Sequence, residues 1–139
     1  MSDIAYESAS CPTQDELVEL YDSVRWSAYT RDPVRLAAAV AASLAVATAR
    51  QDGELIGLAR VVGDGLTIVY LQDILISPSH QRHGIGRELF QRVFAPYVNV
   101  RQKVLITDDE PSQRAFYESM MFTETSNLDY PIRTFVQFG

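Results

Sequence analysis

A ten-residue stretch at positions 80–89, HQRHGIGREL, sets two glycines among basic and polar residues just before an apolar run. The preceding residues 68–77, IVYLQDILIS, predict a long buried strand. A strand, a short loop and a helix start are typical of an anion site, because the first backbone N–H groups and the helix dipole both favour negative charge. Gly84 and Gly86 would let a phosphate approach the backbone closely, and Arg82 and Arg87 would add charge.

Two common phosphate motifs do not fit this stretch. The segment GIGREL lacks the third glycine of the dinucleotide fingerprint, and it follows antiparallel strands instead of opening a first βαβ unit. The Walker pattern fails as well, because it requires Gly-Lys-Ser/Thr. The loop therefore predicts an anion site of another kind.

Asp73 is an ionisable residue in an otherwise apolar strand. Strand alternation predicts that its side chain lies on the face of Leu71 and Leu75, opposite Gln72 and Ile74. Two interpretations stay open at this point. Asp73 is either a functional carboxylate or a structural one that pairs with a neighbouring strand or loop.

Aromatic and histidine residues give further candidates. Trp26 and Tyr29 lie in the aromatic stretch RWSAYTR, residues 25–31, which predicts a loop. They either line a pocket for an acceptor substrate or pack that loop on the core. His80 and His83 have no third ligand nearby in the sequence, so no metal site is predicted.

The elements that must position these residues follow from local signals. Thr13 with Glu16 forms a capping box that begins a helix. The pair Asp32–Pro33 begins a second helix, and Asp52–Gly53 predicts a hairpin turn. The remaining pattern completes a prediction of strands at 4–10, 45–50, 55–62, 67–76, 103–107, 122–126 and 134–138, and of helices at 13–24, 33–43, 84–95 and 110–121.

This order predicts one domain, residues 1–139, of mixed α/β class, with a mostly antiparallel central sheet flanked by helices. The apolar residues 36–49 are fewer than the roughly 20 needed to span a bilayer, so they predict a buried helix that runs into a strand. A net charge of −6 argues against nucleic acid as a partner. Cys11 is the one cysteine, which predicts no internal disulfide and a reducing cytoplasm, and the start shows no signal-peptide pattern.

With its flanking residues, the glycine stretch resembles the acetyl-CoA site of the GNAT N-acetyltransferase superfamily. Gln81, Gly84 and Gly86 match the family signature Gln/Arg-x-x-Gly-x-Gly/Ala, and Ser77–Pro78 matches the turn that precedes it. The later motif Phe-Tyr-Glu-x-x-Gly-Phe is matched by FYESMMF, residues 116–122. The resemblance runs from about residue 17 to the end, and segments such as LQDILISP further resemble a subgroup that includes arylalkylamine-type acetyltransferases.

Two positions depart from the family pattern. Met121 replaces the usual glycine near the end of the second motif, so that helix is expected to end without a left-handed residue. Glu110 replaces a frequent asparagine seven residues before Tyr117. The first departure concerns the helix end, and the second concerns a polar contact to the pantetheine arm of the cofactor.

The resemblance implies an N-acetyltransferase that moves an acetyl group from acetyl-CoA to a primary amine by direct attack in a ternary complex. Tyr117 takes the general-acid position, and Asp73 is the candidate base. The strand backbone would bind pantetheine and polarise the thioester carbonyl, while the loop would hold the pyrophosphate, giving as cofactor-binding residues Ile74, Leu75, Ile76, Gln81, Arg82, His83, Gly84, Ile85, Gly86 and Arg87.

The expected partners are acetyl-CoA and an amine acceptor, with no metal, nucleic acid or membrane, and the chain could form a homodimer. Two other classes of function stay open. A non-catalytic domain that binds or senses acyl-CoA would keep the glycine loop without needing Tyr117. A structural partner domain would need neither feature.

Overall fold

A computed structural model describes residues 3–139. It divides into two compact units, the first ending at Ile106 and the second comprising Thr107–Gly139. The first unit holds β1 (Ile4–Glu7), α1 (Gln14–Ser23), α2 (Ser27–Thr30), α3 (Pro33–Ala41), β2 (Ala45–Gln51), β3 (Glu54–Gly63), β4 (Ile68–Ile76), α4 (Ile85–Phe94) and β5 (Gln102–Leu105). The second holds α5 (Pro111–Ser119) and a short 3₁₀ turn, Thr125–Asn127.

The first unit is a sheet of 5 strands in the order β1-β2-β3-β4-β5. Neighbouring strands of the sheet are antiparallel, except that β4 and β5 run parallel. The parallel pair requires a crossover, and α4 supplies it. The mixed α/β class predicted from the sequence is confirmed.

Local signals set most element boundaries as predicted. The Thr13 side chain accepts from the Glu16 N–H while the Glu16 carboxylate accepts from the Thr13 N–H, so the capping box is complete. The Asp32 carboxylate accepts from the N–H of Arg35 at 3.1 Å and begins α3. Asp52 and its following glycine have φ of 52° and 80°, the left-handed pair that a tight hairpin needs.

Helices cover both faces of the sheet. Helices α1 and α3 pack on one face in an apolar cluster of Leu17, Leu20, Tyr21, Leu36, Val40, Val46, Leu55, Leu58 and Leu75. Helix α4 covers the other face, where Leu89 and Ile85 lie directly over β3. The sheet is therefore buried on both sides over β3, and only its edges can present backbone to a ligand.

Strand β4 is irregular at Gln72. Its register with β3 shifts at that point, because Arg60 lies opposite Asp73 while Val61 lies opposite Leu71. Gln72 is the extra residue of this β-bulge, and a bulge bends the strand and increases its twist. The parallel pairing with β5 ends at Leu71, next to the bulge.

Three segments have a secondary structure different from the one predicted from the sequence. The stretch predicted as a loop at residues 25–31 contains the single-turn helix α2. Residues 122–126 and 134–138 form no strand, and in the latter segment Phe135 and Phe138 are more than four-fifths exposed. Their β-branched and aromatic composition favours a strand, but that preference is realised only when a neighbouring strand supplies packing and a ladder.

Helix α5 ends in the left-handed conformation despite its methionine. Met121 has φ of 70°. The N–H of Met121 donates to the carbonyl of Glu118, and the N–H of Phe122 donates to the carbonyl of Tyr117, each at 3.0 Å. This is the Schellman pattern, so the expectation that the helix would end differently without glycine was wrong.

In the part of the chain that the structure describes, no helix has the length and apolar character to cross a membrane. The apolar residues 36–49 instead contribute the end of α3 and most of β2, as the sequence predicted.

Candidate functional site

The glycine loop joins the end of β4 to the start of α4. The Gln81 side-chain amide donates to the carbonyl of Ile76 at 3.2 Å, which fixes the loop to the strand. Arg82 and Gly84 both have positive φ, 68° and 78°, so the backbone turns sharply before the helix. The turn brings the chain to the start of α4, whose first N–H groups are suited to an anion.

Gly84 is the N-cap of α4 and offers no side chain to cap it. The Glu88 N–H makes the first intrahelical hydrogen bond, to the Gly84 carbonyl at 3.2 Å. The N–H groups of Ile85 and Gly86 precede that bond, so no helix carbonyl pairs with them. The predicted anion-binding residues thus lie at a helix start that lacks a side-chain cap.

Gly57 on β3 sets how closely this helix start approaches the sheet. A Cβ at Gly57 would lie 3.4 Å from Ile85 Cγ2 and only 3.0 Å from Leu89 Cδ1, which is tighter than an ordinary contact. The glycine therefore lets the first turn of α4 lie on the sheet, beside the end of β4.

Beyond Leu71, β4 presents backbone groups on the side away from β3. The N–H of Ser77 donates to Ile56 on β3, so Ser77 faces β3, and alternation puts the backbone groups of Leu75 on that same side. Those of Ile74 and Ile76 point to the opposite edge, where Gln81 already reaches the Ile76 carbonyl. Of the three residues predicted to bind pantetheine, Ile74 and Ile76 have groups on this edge, whereas Leu75 directs its groups to β3.

Asp73 lies at the centre of a buried polar cluster on the other side of β4. Its Oδ2 accepts from Arg60 Nε at 2.6 Å and from the Tyr21 hydroxyl at 2.9 Å. Its Oδ1 accepts from the Tyr29 hydroxyl at 2.8 Å. The carboxylate is 3% exposed, and its charge is balanced by the guanidinium on the neighbouring strand. These contacts favour the structural interpretation of Asp73, and its role as a base stays a prediction.

The bulge corrects the predicted direction of Gln72. The Gln72 Nε2 donates to the Tyr29 hydroxyl at 3.1 Å, the same hydroxyl that donates to Asp73. In a regular strand, neighbouring side chains point to opposite faces. Because the strand bulges at Gln72, two consecutive side chains instead converge on one group.

Arg60 and Tyr21 are members of this cluster that sequence reasoning missed. The guanidinium of Arg60 also donates to Ser43 Oγ at 3.3 Å and to the Ala39 carbonyl at 3.5 Å, near the end of α3. A signal for it was present in the sequence. Arg60 is the charged residue in the apolar run LIGLARVV, as Asp73 is in the next strand, and opposite charges in two such strands indicate a buried pair.

Three aromatic rings surround the cluster. The Tyr21 ring lies edge-on to the Tyr29 ring at 5.2 Å and to the Trp26 ring at 5.9 Å between centroids. Tyr21 is fully buried, whereas Trp26 and Tyr29 keep part of their surface in solvent. Both open interpretations of these two residues therefore have support, because the rings pack on the core and also present an aromatic surface.

The hydroxyls of Tyr21 and Tyr29 remain protonated at neutral pH. Burial raises the pKa of each above its ordinary value, and the negative charge of Asp73 raises it further. For Tyr29, the hydrogen bond from Gln72 opposes this rise in pKa. Each phenol therefore donates a hydrogen bond to Asp73 and keeps its proton.

Tyr117, the predicted general acid, belongs to the second unit. It lies on α5 and is 8% exposed. Burial raises the pKa of its phenol, while a hydrogen bond from the Thr107 side chain acts in the opposite direction. The hydroxyl therefore carries its proton at neutral pH, as a general acid must.

The two ring nitrogens of His80 both have hydrogen-bond partners. Its Nδ1 lies 2.6 Å from Ser77 Oγ, and its Nε2 lies 2.9 Å from Gln51 Oε1 on β2. These contacts fix the turn at Ser77–Pro78, from which the glycine loop begins. No group of three or more His, Cys, Asp or Glu residues that could hold a metal ion is found within residues 3–139.

This fold and loop correspond to a known family. Residues 13–130 match the family model described as acetyltransferase (GNAT) domain. The chain therefore belongs to the GNAT acetyltransferase family, as the glycine and Phe-Tyr-Glu motifs indicated. The narrower arylalkylamine-type resemblance stays a prediction.

Known proteins share both sequence and architecture with the chain. A GNAT-family acetyltransferase, SP0256 from Streptococcus pneumoniae TIGR4, superposes with a TM-score of 0.84 at 28% identity, covering 97% of this chain and 98% of that one. The aminoglycoside N-acetyltransferase AAC(6')-Iy, solved in complex with CoA, has a TM-score of 0.72 at 18% identity, over 96% of each chain, a likeness of fold. A Gibberella zeae protein described as a candidate acetyltransferase, FG08082, is 35% identical over 63 residues, which span 36% of its length.

Proposed function

We propose that this protein transfers the acetyl group of acetyl-CoA to a primary amine of a small molecule or peptide. One observation carries the proposal: the backbone edge of β4 beyond Leu71 is followed, through the glycine loop, by the uncapped start of α4. A pantetheine amide chain requires backbone donors and acceptors in a row, and a pyrophosphate requires a cluster of N–H groups. The two features follow one another along the chain in the order that CoA would need.

In this proposal, the groups of Ile74 and Ile76 bind the pantetheine arm and polarise the thioester carbonyl. The loop from Gln81 to Arg87 holds the pyrophosphate through its backbone, aided by the charges of Arg82 and Arg87. Trp26 and Tyr29 contribute to the acceptor site.

The reaction forms one C–N bond and breaks one C–S bond. A protonated acceptor first loses a proton to solvent and attacks as a neutral amine. Its nitrogen then loses a second proton as the amide forms, and the sulfur leaves as a thiolate that takes up a proton. We assign the protonation of the thiolate to the Tyr117 hydroxyl, because it is protonated at neutral pH. Direct attack in a ternary complex requires acetyl-CoA and amine to be bound together.

Two structures of one relative support the donor and the type of acceptor. AAC(6')-Iy is named as an aminoglycoside N-acetyltransferase, and it has been solved with CoA and with the bisubstrate analogue CoA-S-monomethyl-acetylneamine. By analogy, acetyl-CoA is the donor for this chain and an amine is its acceptor.

Thermal unfolding with and without ligand tests donor binding. Acetyl-CoA or CoA at about 100 times its Kd should stabilise the protein by about 2.7 kcal/mol, while NADH at the same concentration should not. Gly84→Val should remove this stabilisation, because the added side chain obstructs the approach of the pyrophosphate to the loop.

Gly53→Val is the matched control. Gly53 has φ of 80°, and a Cβ there would meet nothing within 4 Å, as at Gly84, but it lies in the β2–β3 hairpin. Both variants should lose similar stability without ligand, since both force a side chain into the left-handed region. The proposed donor site is wrong if acetyl-CoA stabilises Gly84→Val as well as Gly53→Val.

Turnover is tested with benzylamine, spermidine, neamine and triglycine as acceptors and release of free CoA thiol as the readout. Release that depends on one of these amines would support the proposal. Stabilisation by acetyl-CoA without amine-dependent release would favour the alternative function, a domain that binds acyl-CoA without catalysis.

A further inference from the structure

The Tyr29 hydroxyl has an unusually defined set of partners. Its single proton goes to Asp73 Oδ1, at 2.8 Å, and Gln72 Nε2 donates to its oxygen at 3.1 Å. A phenol has one proton to donate and two lone pairs to accept with. Donation to Asp73 and acceptance from Gln72 therefore leave one lone pair, and the hydroxyl can take a further partner only as an acceptor.

The direction of the Tyr29 proton is fixed by the other contacts of Asp73. An ionised carboxylate only accepts hydrogen bonds. Its Oδ2 is occupied by the Arg60 guanidinium and the Tyr21 hydroxyl, while its Oδ1 receives Tyr29. Rotation of the Tyr29 proton away from Asp73 would leave this buried oxygen without a donor, at the energetic cost of an unsatisfied buried group.

The Tyr29 hydroxyl lies where the backbone edge of β4 becomes available. Gln72, its second partner, is the bulge residue that follows the end of the β4–β5 pairing at Leu71. The backbone groups of Ile74 and Ile76 face the open edge immediately beyond. A hydroxyl at this point is near the strand segment to which we assigned the thioester.

Charge at this point is balanced. Asp73 is paired with Arg60 at 2.6 Å, and neither side chain is more than 6% exposed. The negative charge of Asp73 is therefore already compensated by Arg60 before an acceptor arrives. The group that reaches the partly exposed surface is the oriented phenol, flanked by the ring of Trp26.

We propose that the Tyr29 hydroxyl accepts a hydrogen bond from the N–H of the acceptor amine and so selects amines over alcohols and thiols that lack a second donor. Asp73 is then a positioning residue, which acts through Tyr29 and does not take the substrate proton. The inference rests on the proposed function and names the residue that recognises its acceptor.

Tyr29→Phe and Tyr21→Phe form a matched pair that tests this role. Each variant removes one hydroxyl that donates to Asp73, but only the Tyr29 hydroxyl has exposed surroundings, because Tyr21 is 0% exposed. For whichever of the four test amines has the highest turnover, Tyr29→Phe should raise KM about tenfold, the upper range for the loss of one neutral hydrogen bond. It should leave stabilisation by acetyl-CoA unchanged, and Tyr21→Phe should change the amine KM less than threefold.

Asp73→Asn separates positioning from proton transfer. If Asp73 acts through Tyr29, the variant should raise the amine KM without changing the shape of the kcat–pH profile, and Tyr29→Phe should add little in the double variant. A flattened acidic limb with activity restored at high pH would overturn the positioning role. An unchanged amine KM in an active Tyr29→Phe enzyme would overturn the inference and leave the acetyltransferase proposal intact. Failure of every amine to turn over would overturn both.

Discussion

Arg60 and Asp73 lie opposite each other on β3 and β4, and Arg60 Nε donates to Asp73 Oδ2 across 2.6 Å. The pair connects three helices to the sheet, because Asp73 also receives Tyr21 of α1 and Tyr29 of α2 while Arg60 reaches the end of α3. A buried pair of this kind need not stabilise the fold more than apolar residues would, but removing one partner leaves an unpaired buried charge.

Breaking the pair should therefore destabilise the protein strongly. Arg60→Met or Asp73→Asn should each lower the free energy of unfolding by about 3–5 kcal/mol, measured by urea denaturation. The double variant should lose less free energy of unfolding than the two single variants together, by about 1 kcal/mol or more, because neither charge is left unpaired. Additive losses would show that the two side chains are not energetically coupled.

Because of Glu16, the stability of the protein should decrease at acidic pH. Its hydrogen bonds with Arg50 and with the Thr13 N–H lower its pKa to about 2, below the unfolded value of about 4.3. The stabilisation is therefore present above the unfolded pKa and is lost as pH falls towards 2. Glu16→Gln should lower stability by about 1–2 kcal/mol at pH 7 and by progressively less below pH 4.

Glu19→Gln is the control for this prediction, because Glu19 is exposed on the same helix. It should change stability little at either pH. A difference between Glu16→Gln and the wild type that stays constant from pH 7 to pH 2 would contradict the assigned role of the Glu16–Arg50 pair.

Met121 should be a site where glycine stabilises the second unit. Its φ of 70° is strained for a residue with a Cβ, and its side chain is 90% exposed, so little packing is lost on truncation. Met121→Gly should raise the free energy of unfolding by up to about 1 kcal/mol. This value is the strain that is relieved, less the cost of the extra backbone entropy of glycine. Met121→Ala keeps the Cβ and should therefore not be stabilised. Equal melting temperatures for the two variants would argue against strain at this residue.

Tyr117→Phe should reduce kcat by about 10²–10⁴-fold, the usual value of general acid catalysis, with stabilisation by acetyl-CoA retained. Because burial raises the pKa of this phenol, the wild-type enzyme should not lose its acid below pH 10. Tyr130→Phe, a change at an exposed tyrosine of the same unit, should leave kcat unchanged. A kcat within threefold of the wild type for Tyr117→Phe would mean that another group protonates the thiolate.

The sequence predicted those parts of the fold that local chemistry determines. The capping box at Thr13, the Asp32–Pro33 helix start and the Asp52–Gly53 turn each need only a few neighbouring residues, and all three are present. The glycine loop was found for the same reason, since Gly84 must take a left-handed conformation within its own turn.

Features that depend on distant partners could not be predicted in this way. The bulge at Gln72 is a mismatch between two strands, and nothing in β4 alone shows where β3 will fall out of register. Asp73 was recognised as unusual, but its partners Tyr21 and Tyr29 are 52 and 44 residues away in the sequence. The absent strands at residues 122–126 and 134–138 fail for a similar reason, because a strand-forming composition does not supply the edge to pair with.

Under the proposed function, the convergence of Gln72 and Asp73 on Tyr29 also bears on how the range of acceptors can evolve. Substitution at Asp73 or Arg60 disturbs the anchoring of three helices, so a change of acceptor through these residues would also destabilise the fold. Gln72 and Tyr29 stand at the boundary of the cluster, where a change can alter the hydrogen-bonding surface while the ion pair beneath it survives. We expect natural drift and laboratory selection for new acceptors to accumulate changes at these two outer positions first.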